Sequence, residues 1–477
     1  MIPKPGAGGP AVRIVQRPPA GTPLLCVFAE EGRPPRGRGG AALERAFGDT
    51  GGRLGETGIV YNPGGSPTRM MVAGLGDGGP GAARHAAGAA ARRAAEIGVQ
   101  EMAIVPPPGA AAEAVEGAML ALYRFDRFRA EKKKVPRRIT VVARDSEAAG
   151  ARGAALAAGG VRLARDIANT PPNECAPADL ASAAKKLSGP RLRCTVLGPA
   201  ELSRRGFGGM MAVGGGSRNG PRLIILEYMG GPRGARPAAL VGKAVTFDTG
   251  GISLKPRERM EEMKFDKCGG CAVLGALSAA ALMRVKANVV GIIPSVENMP
   301  GGGAYRPGDI VTLYGGRTAE IINTDAEGRL ILADALAYAR EKYSPEYMLD
   351  FATLTGACIV ALGSDVAGLF SNDDRLAARV EAASARSGED VWRLPVGDRY
   401  ERLIRSEVAD SRNMGIGTAA GAISAAEFLR MAAGSTPWAH VDIAGTAWMQ
   451  QASRKRPYNP GGATGFGVRL ALEMLRQ

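Results

Sequence analysis

Asp325, Glu327 and Arg329 stand at alternate positions in Asn323-Thr324-Asp325-Ala326-Glu327-Gly328-Arg329-Leu330. An ionised carboxylate inside a protein is costly unless it is paired or bound to a metal. Ala319 to Ile322, apolar apart from Glu320, precedes the octapeptide, and a nearly all-apolar helical stretch from Leu330 to Ala339 follows it. The segment reads as the carboxyl end of a strand turning into a helix, where ligands gather in open α/β sheets. Helix capping stays open as a second reading, with Asn323, Thr324 or Asp325 as N-cap and Glu327 in the first turn facing the dipole.

Val241 to Pro256 adds more chemistry. Lys243 lies inside an apolar strand, where a lysine either becomes a neutral ligand or base or pairs with a carboxylate. Asp248 ends that strand at Thr249-Gly250-Gly251. Strict alternation puts Lys243 and Asp248 on opposite faces. Convergence therefore needs a bend at Gly242 or at Gly250-Gly251, and the alternative is an internal Lys243–Asp248 ion pair. Asp266 precedes a glycine- and alanine-rich helix, which taken alone is an N-cap position. Cys268-Gly269-Gly270-Cys271 has no second cysteine pair at zinc spacing and reads as helix packing. There are two histidines, His85 and His440. A Ser-His-Asp enzyme would have to use one of them, and His440 reads as a strand residue satisfied by a neighbour. A hydrolytic metal site must therefore be built from carboxylates. Asp248, Asp266, Asp325 and Glu327 could hold two divalent cations about 3.5–4 Å apart, clamping attacking and leaving oxygens. Lys243, Lys255 and Arg329 would offset charge and stabilise an oxyanion.

These residues need a scaffold. A chain of 477 residues is too long for one ordinary core, so two domains are expected. A content of 45% hydrophobic and 22% charged residues fits a soluble globular protein. The net charge is +15, and residues 1–165 carry +10 of it. That excess fits an anionic partner such as DNA or simply an arginine-rich surface. The basic run from Arg127 to Lys134, with its single aromatic, is a weak nucleic-acid signal. Six scattered cysteines point to a reducing compartment. The start lacks an apolar signal region and no run of about 18 apolar residues occurs, so no membrane span is expected.

Residues 1–20 read as a loose arm. Strands are expected at 23–28, 58–61, 69–73, 102–105 and 137–142, with helices at 85–96 and 113–128. Gly74 to Gly79 is a formal G-x-G-x-x-G, but no acid ends the next strand and Pro80 crowds the turn. It reads as a tight structural turn rather than a dinucleotide site. A helix across Val161 ends at Pro171-Pro172, near the domain boundary. Beyond it, strands at 222–228, 238–247, 288–294, 319–322, 347–352 and 439–443 alternate with helices at 268–283, 330–342, 375–386 and 420–433. The fold class is α/β, a smaller N-terminal domain (1–165) and a larger catalytic domain (166–477) with a central mixed sheet flanked by helices.

The octapeptide, Val241 to Pro256 and Glu262 to Asp266 resemble those of the leucyl aminopeptidase family, the cytosolic two-metal aminopeptidases. Glu297 to Gly301, Tyr305 to Asp309, Thr353 to Ala357 and Trp438 to Trp448 support the resemblance. It covers nearly all of residues 165–477 and is weak before them. It implies an aminopeptidase acting on small peptides with apolar N-terminal residues. Lys243, Asp248, Asp266 and Glu327 would hold one metal, and Asp248, Asp325 and Glu327 a more exchangeable one, either Mn²⁺ or Zn²⁺. Lys255 would polarise the tetrahedral intermediate, and Arg329 would hold a bicarbonate proton relay. Met263, Thr353, Leu354 and Gly356 would line the first side-chain pocket, with Asn323 also at the substrate. The resemblance further implies a homohexamer in the cytoplasm, and some bacterial relatives also bind DNA.

Overall fold

The computed structural model describes residues 9–35, 40–61, 65–79, 81–415, 417, 419–453 and 455–476. It forms two compact units. Of the described residues, one unit holds 9–162 together with Met449–Gly462. The other holds Leu163–Trp448 and the chain from Ala463 on.

The first unit is a six-stranded sheet of β1 (Ala11–Val15), β2 (Leu25–Ala29), β3 (Thr57–Tyr61), β4 (Arg69–Gly74), β5 (Glu101–Val105) and β6 (Arg138–Val142), in the order β1-β6-β5-β2-β4-β3. All neighbours run parallel except β3 against β4. The middles of β4, β5 and β6 are buried, as runs such as Met102-Ala103-Ile104 require in a parallel sheet covered on both faces. The arm expected over residues 1–20 is corrected: Ala11–Val15 pairs along its whole length with β6. Residues 1–8 lie outside the described residues. The helix expected to reach Phe128 ends at Ala121. Arg124 folds back there and donates to the carbonyls of Tyr123 and Ala121 at 2.8 and 3.2 Å. Gly74 to Gly79 is stitched to its surroundings: Leu75 N–H donates to Ala29 O and Gly76 N–H to Gly52 O. Pro80 is outside the described residues.

The helix expected across Val161 runs from Asp145 to Asn169. The second unit contains β7 (Leu192–Leu197), β8 (Arg222–Met229), β9 (Ala238–Gly242), β10 (Ala244–Asp248), β11 (Asn288–Asn298), β12 (Ile310–Thr312), β13 (Thr318–Glu320), β14 (Met348–Ala352), β15 (Ala367–Ser371), β16 (Val391–Arg393), β17 (Ser411–Arg412) and β18 (Trp438–Asp442). The main sheet has the order β16-β15-β18-β14-β9-β11-β8-β7, with β10 pairing β11. Strands β18, β14, β9, β11 and β10 are mutually parallel, while β15 and β8 run against them, so the sheet is mixed.

Alternation along β9 sorts the two faces. Ala239 and Val241 share a core with Leu330 and Leu336 of the Gly328–Tyr343 helix. Gly242 instead abuts Gly269 and Gly270 of the Cys268–Met283 helix. A methyl group on Gly269 would sit 2.0 Å from Phe351 O, so helix and sheet touch backbone to backbone. Cys268 and Cys271 are buried free thiols in that contact. Met260–Met283 is long and apolar enough to be weighed as a membrane span, but its most apolar window is 89% buried within the protein.

Candidate active site

The expected strand at 238–247 is broken at Lys243, and this break shapes the site. Lys243 N–H donates to Phe351 O, and its own carbonyl accepts Gly270 N–H. Past the break, the pairing of β10 with β11 shifts register between Val245 and Asp248. Break and shift together turn Lys243 and Asp248 towards one region, so the bend is not at Gly250-Gly251. Gly250 N–H instead donates to Asp248 Oδ1 at 2.9 Å.

The expected alternative of a Lys243–Asp248 ion pair is corrected to a different pairing. Lys243 Nζ lies 2.7 Å from Asp266 Oδ1, 2.8 Å from Glu327 Oε1 and 2.8 Å from Thr353 O. Lys255 Nζ lies 2.8 Å from Asp248 Oδ2 and also contacts Asp325 Oδ1. Each lysine thus bridges two acids. Asp266 does not cap a helix: it closes the 3₁₀ turn Met260–Phe265, and its Oδ1 also accepts the Thr353 hydroxyl at 2.6 Å.

The octapeptide departs from a simple strand-to-helix turn. Its strand, β13, lies in a separate three-stranded sheet with β12 and β17. Glu327 is the N-cap residue of the Gly328–Tyr343 helix without a side-chain cap bond, so the capping reading for Asn323, Thr324 or Asp325 is not realised. The intervening loop is held by side chains. Asn323 Oδ1 accepts Asp325 N–H at 2.7 Å. Thr324 Oγ1 donates to Gly250 O and accepts Ser253 N–H. Thr324 O accepts Tyr305 O–H at 2.7 Å and Asn298 Nδ2 at 3.0 Å. Asn298 Nδ2 also reaches Asp248 Oδ1 at 2.8 Å. Asn413 brackets the loop, accepting Ile322 N–H and donating to Asn323 O. Sequence reasoning assigned no role to Asn298, Tyr305 or Asn413. Asn298 and Tyr305 lie in stretches that carry the family resemblance, but as neutral polar residues all three point to a role only once their burial is known.

Carboxylate oxygens of Asp248, Asp325 and Glu327 lie within 4.8 Å of one another, and Lys243 links Asp266 to Glu327. Such crowding perturbs titration. Burial, then Asp248 and Glu327, push the Asp325 carboxyl up to about 7 despite Lys255. Burial also holds Asp266 well above the usual carboxylate range, with Lys243 opposing. Burial works to lower both lysines, but the carboxylates outweigh it and raise them, chiefly Asp266 and Glu327 for Lys243 and Asp248 and Glu327 for Lys255. The two ammonium groups therefore stand where divalent cations would neutralise the acids. Among the described residues, buried Asp266 Oδ2 has no hydrogen-bond partner. Converging oxygens, an unused buried carboxylate oxygen and an amine within reach suit a dinuclear divalent site.

The acids open into a cleft of about 700 Å³ lined also by Met263, Leu354, Gly356, Trp448 and Arg329. Asn323 and Thr353 line it as well, the latter with its hydroxyl turned to Asp266. Arg329 is pulled down to about 10 by burial, yet stays cationic at neutral pH. Its Nε and Nη1 have no hydrogen-bond partner among the described residues. The expected strand residue His440 is where sequence placed it, in β18, with Nδ1 2.6 Å from Asp350 Oδ1.

Residues 162–472 match the cytosol aminopeptidase family, catalytic domain, and residues 45–132 match the N-terminal domain of the same family. The chain is 55% identical over 470 residues to a probable cytosol aminopeptidase of Cenarchaeum symbiosum, covering 95% of this chain and 96% of that one. It is 47% identical over 450 residues to another from Roseiflexus castenholzii, covering 90% and 91%. Among solved structures it is similar to the bottromycin maturation enzyme BotP in complex with Mn, with a TM-score of 0.86 and 35% identity over 95% of this chain and 99% of that one.

Proposed function

The chain belongs to the cytosol aminopeptidase family and is a metal-dependent aminopeptidase; from that premise we propose that it releases leucine and other apolar N-terminal residues from small peptides. The observation that carries the reading is the convergence of four carboxylates and two lysines around the carboxyl ends of β9 and β10. Lys243, Asp248, Asp266, Asp325 and Glu327 would hold two divalent cations, manganese or zinc, which supply Lewis acidity and a water acidic enough to attack at neutral pH.

The chain's own residues do the rest. Lys255, whose ammonium bridges Asp248 and Asp325 at the cleft, would donate to the oxyanion of the tetrahedral intermediate. It stays protonated because the surrounding carboxylates raise it. Arg329, with its buried N–H groups lacking protein acceptors, would bind bicarbonate and so place a proton acceptor beside the acids. Met263, Leu354 and Gly356 would take the first side chain, with Asn323 at the rim. Thr353 would act on Asp266 more than on substrate.

The test is hydrolysis of leucine amide by metal-stripped protein with Mn²⁺ or Zn²⁺ added back, alongside Asp325→Ala and Lys255→Ala. Activity should appear with metal and vanish in both variants. Full activity in Lys255→Ala would overturn its role.

A further inference from the structure

Asp248 uses its two carboxylate oxygens differently. Oδ2 takes the Lys255 ammonium at 2.8 Å. Oδ1 is turned back into the protein, where it accepts Gly250 N–H at 2.9 Å and the Asn298 amide at 2.8 Å. Asn298 ends β11 and is the register partner of Asp248 at the end of β10. It is 0% exposed. Its backbone carbonyl accepts Thr249 N–H at 3.0 Å and the Thr249 hydroxyl at 2.9 Å. Main chain and side chain of Asn298 thus grip the turn that follows Asp248.

The amide nitrogen has two hydrogens, and each goes to a different ligand-bearing segment. One meets Asp248 Oδ1 and the other meets Thr324 O at 3.0 Å, the carbonyl that precedes Asp325. The orientation has no alternative. Turned over, the amide oxygen would face a carboxylate and a carbonyl, acceptor against acceptor. The far side of the amide shows what this orientation costs. Among the described residues, buried Asn298 Oδ1 has no hydrogen-bond partner. An unmet buried acceptor is rare and destabilising. Nor do the two acceptors need Asn298 to be satisfied. Asp248 Oδ1 also has Gly250 N–H, and Thr324 O also has Tyr305 O–H at 2.7 Å. What Asn298 alone supplies is the link between the two segments.

We propose that Asn298 is a positioning residue for the metal site. By holding Oδ1 of Asp248 it leaves Oδ2 as the oxygen presented to the cations, and with the same amide group it fixes the spacing between Asp248 and the Asp325 loop. Outer contacts of this kind orient a ligand for its cation. This rests on the reading of Asp248 and Asp325 as ligands under the proposed function.

The test is calorimetric titration of the full-length, metal-stripped protein with Mn²⁺, comparing Asn298→Leu and Asn298→Ala with Tyr305→Phe. Leucine keeps most of the volume and drops both donors. Tyr305→Phe removes the other donor to Thr324 O and leaves Asp248 untouched. Both Asn298 variants should bind manganese roughly tenfold to a hundredfold more weakly, and Tyr305→Phe should bind it as the wild type does. At saturating manganese, KM for leucine amide should be unchanged in all three. Wild-type manganese affinity in Asn298→Leu would overturn the proposal. So would an equal loss in Tyr305→Phe, which would reduce the effect to loop packing, or a kcat lost at saturating manganese with affinity intact. If Asn298→Leu does not fold, Asn298→Ala decides by the same comparison. A wild-type protein that takes up no manganese would refute the metal site itself, a failure visible before any variant is made.

Discussion

A methyl group at Gly328 would sit 2.6 Å from Lys243 Cε and 2.9 Å from Lys243 Nζ. The lysine cannot step aside, because its ammonium is already held by Asp266, Glu327 and the Thr353 carbonyl. The helix must therefore open on glycine for Lys243 to reach its acids. Gly328→Ala should cost the metal-free protein about 1–3 kcal/mol of overpacking. It should also weaken manganese binding at least tenfold. Thermal melts and calorimetric titration check both, and unchanged metal affinity would count against Lys243 as a ligand.

Metal uptake should release protons. Asp325 is pushed up to about 7, and Lys243 is raised above its ordinary value. Both must lose a proton to serve as ligands. Apparent affinity should climb with pH, more steeply below pH ~7, where Asp325 also holds its proton, than above it. Chelator competition from pH 6 to 9 measures the slope. For the metal-free fold the sign is opposite. A carboxyl raised from about 3.9 in the unfolded chain stabilises below that value, and the contribution is lost as pH rises through about 7. Asp325→Asn should remove that component of the pH dependence of the melt.

Asn413→Ala should loosen the Ile322 to Ala326 loop. Its side chain accepts Ile322 N–H at 2.8 Å and Asn323 N–H at 3.3 Å, and donates to Asn323 O at 2.7 Å. Losing a fully buried amide with those contacts should cost about 1–3 kcal/mol. Denaturant melts give the stability, and kcat should fall because Asp325 follows the loop. A drop in stability with kcat intact would show that Asp325 is held by its other contacts.

Thr353→Val separates two roles. The hydroxyl donates to Asp266 Oδ1 at 2.6 Å. If it serves the acid, the variant loses metal affinity by roughly fivefold, in line with one hydrogen bond to a charged group, and keeps KM. If it serves the substrate, KM rises and metal affinity stays.

Lys243 and Asp248 were legible because they stand in apolar or glycine-rich surroundings, where a charge demands a reason, whereas Asp266, flanked by Lys264 and Lys267, was marked only by the family resemblance. Which lysine meets which acid was not legible. That depends on the break at Lys243 and on register against β11, whose residues lie some fifty positions later. Asn298, Tyr305 and Asn413 were silent for another reason: neutral polar side chains carry no cost signal until burial is known. The same physics sorts the elements. Strands β8 and β14 are largely apolar and were read to within a residue, while β11 was read only to Pro294 and runs on through Ser295, Glu297 and Asn298, which carry no apolar signal. Strand β1 is an edge strand interrupted by Arg13 within a Pro- and Gly-rich stretch, and edge pairing has no apolar signature. The octapeptide misled because side chains, not backbone pairing, hold its loop.

Met449–Gly462 shares a compact unit with the chain before Arg162. There Arg92 donates to Ser453 O at 2.9 Å and Asn459 O at 2.8 Å, a closure over more than 360 residues. Biosynthesis has to respect that order. The unit that precedes Arg162 waits for residues made about three hundred positions later, and such distant closures come late in folding. A chain arrested after the metal ligands, which end at Glu327, would still lack that return segment and β14 and β18. The metal ligands alone thus do not complete the fold, which closes only when β14, β18 and the return segment have been added.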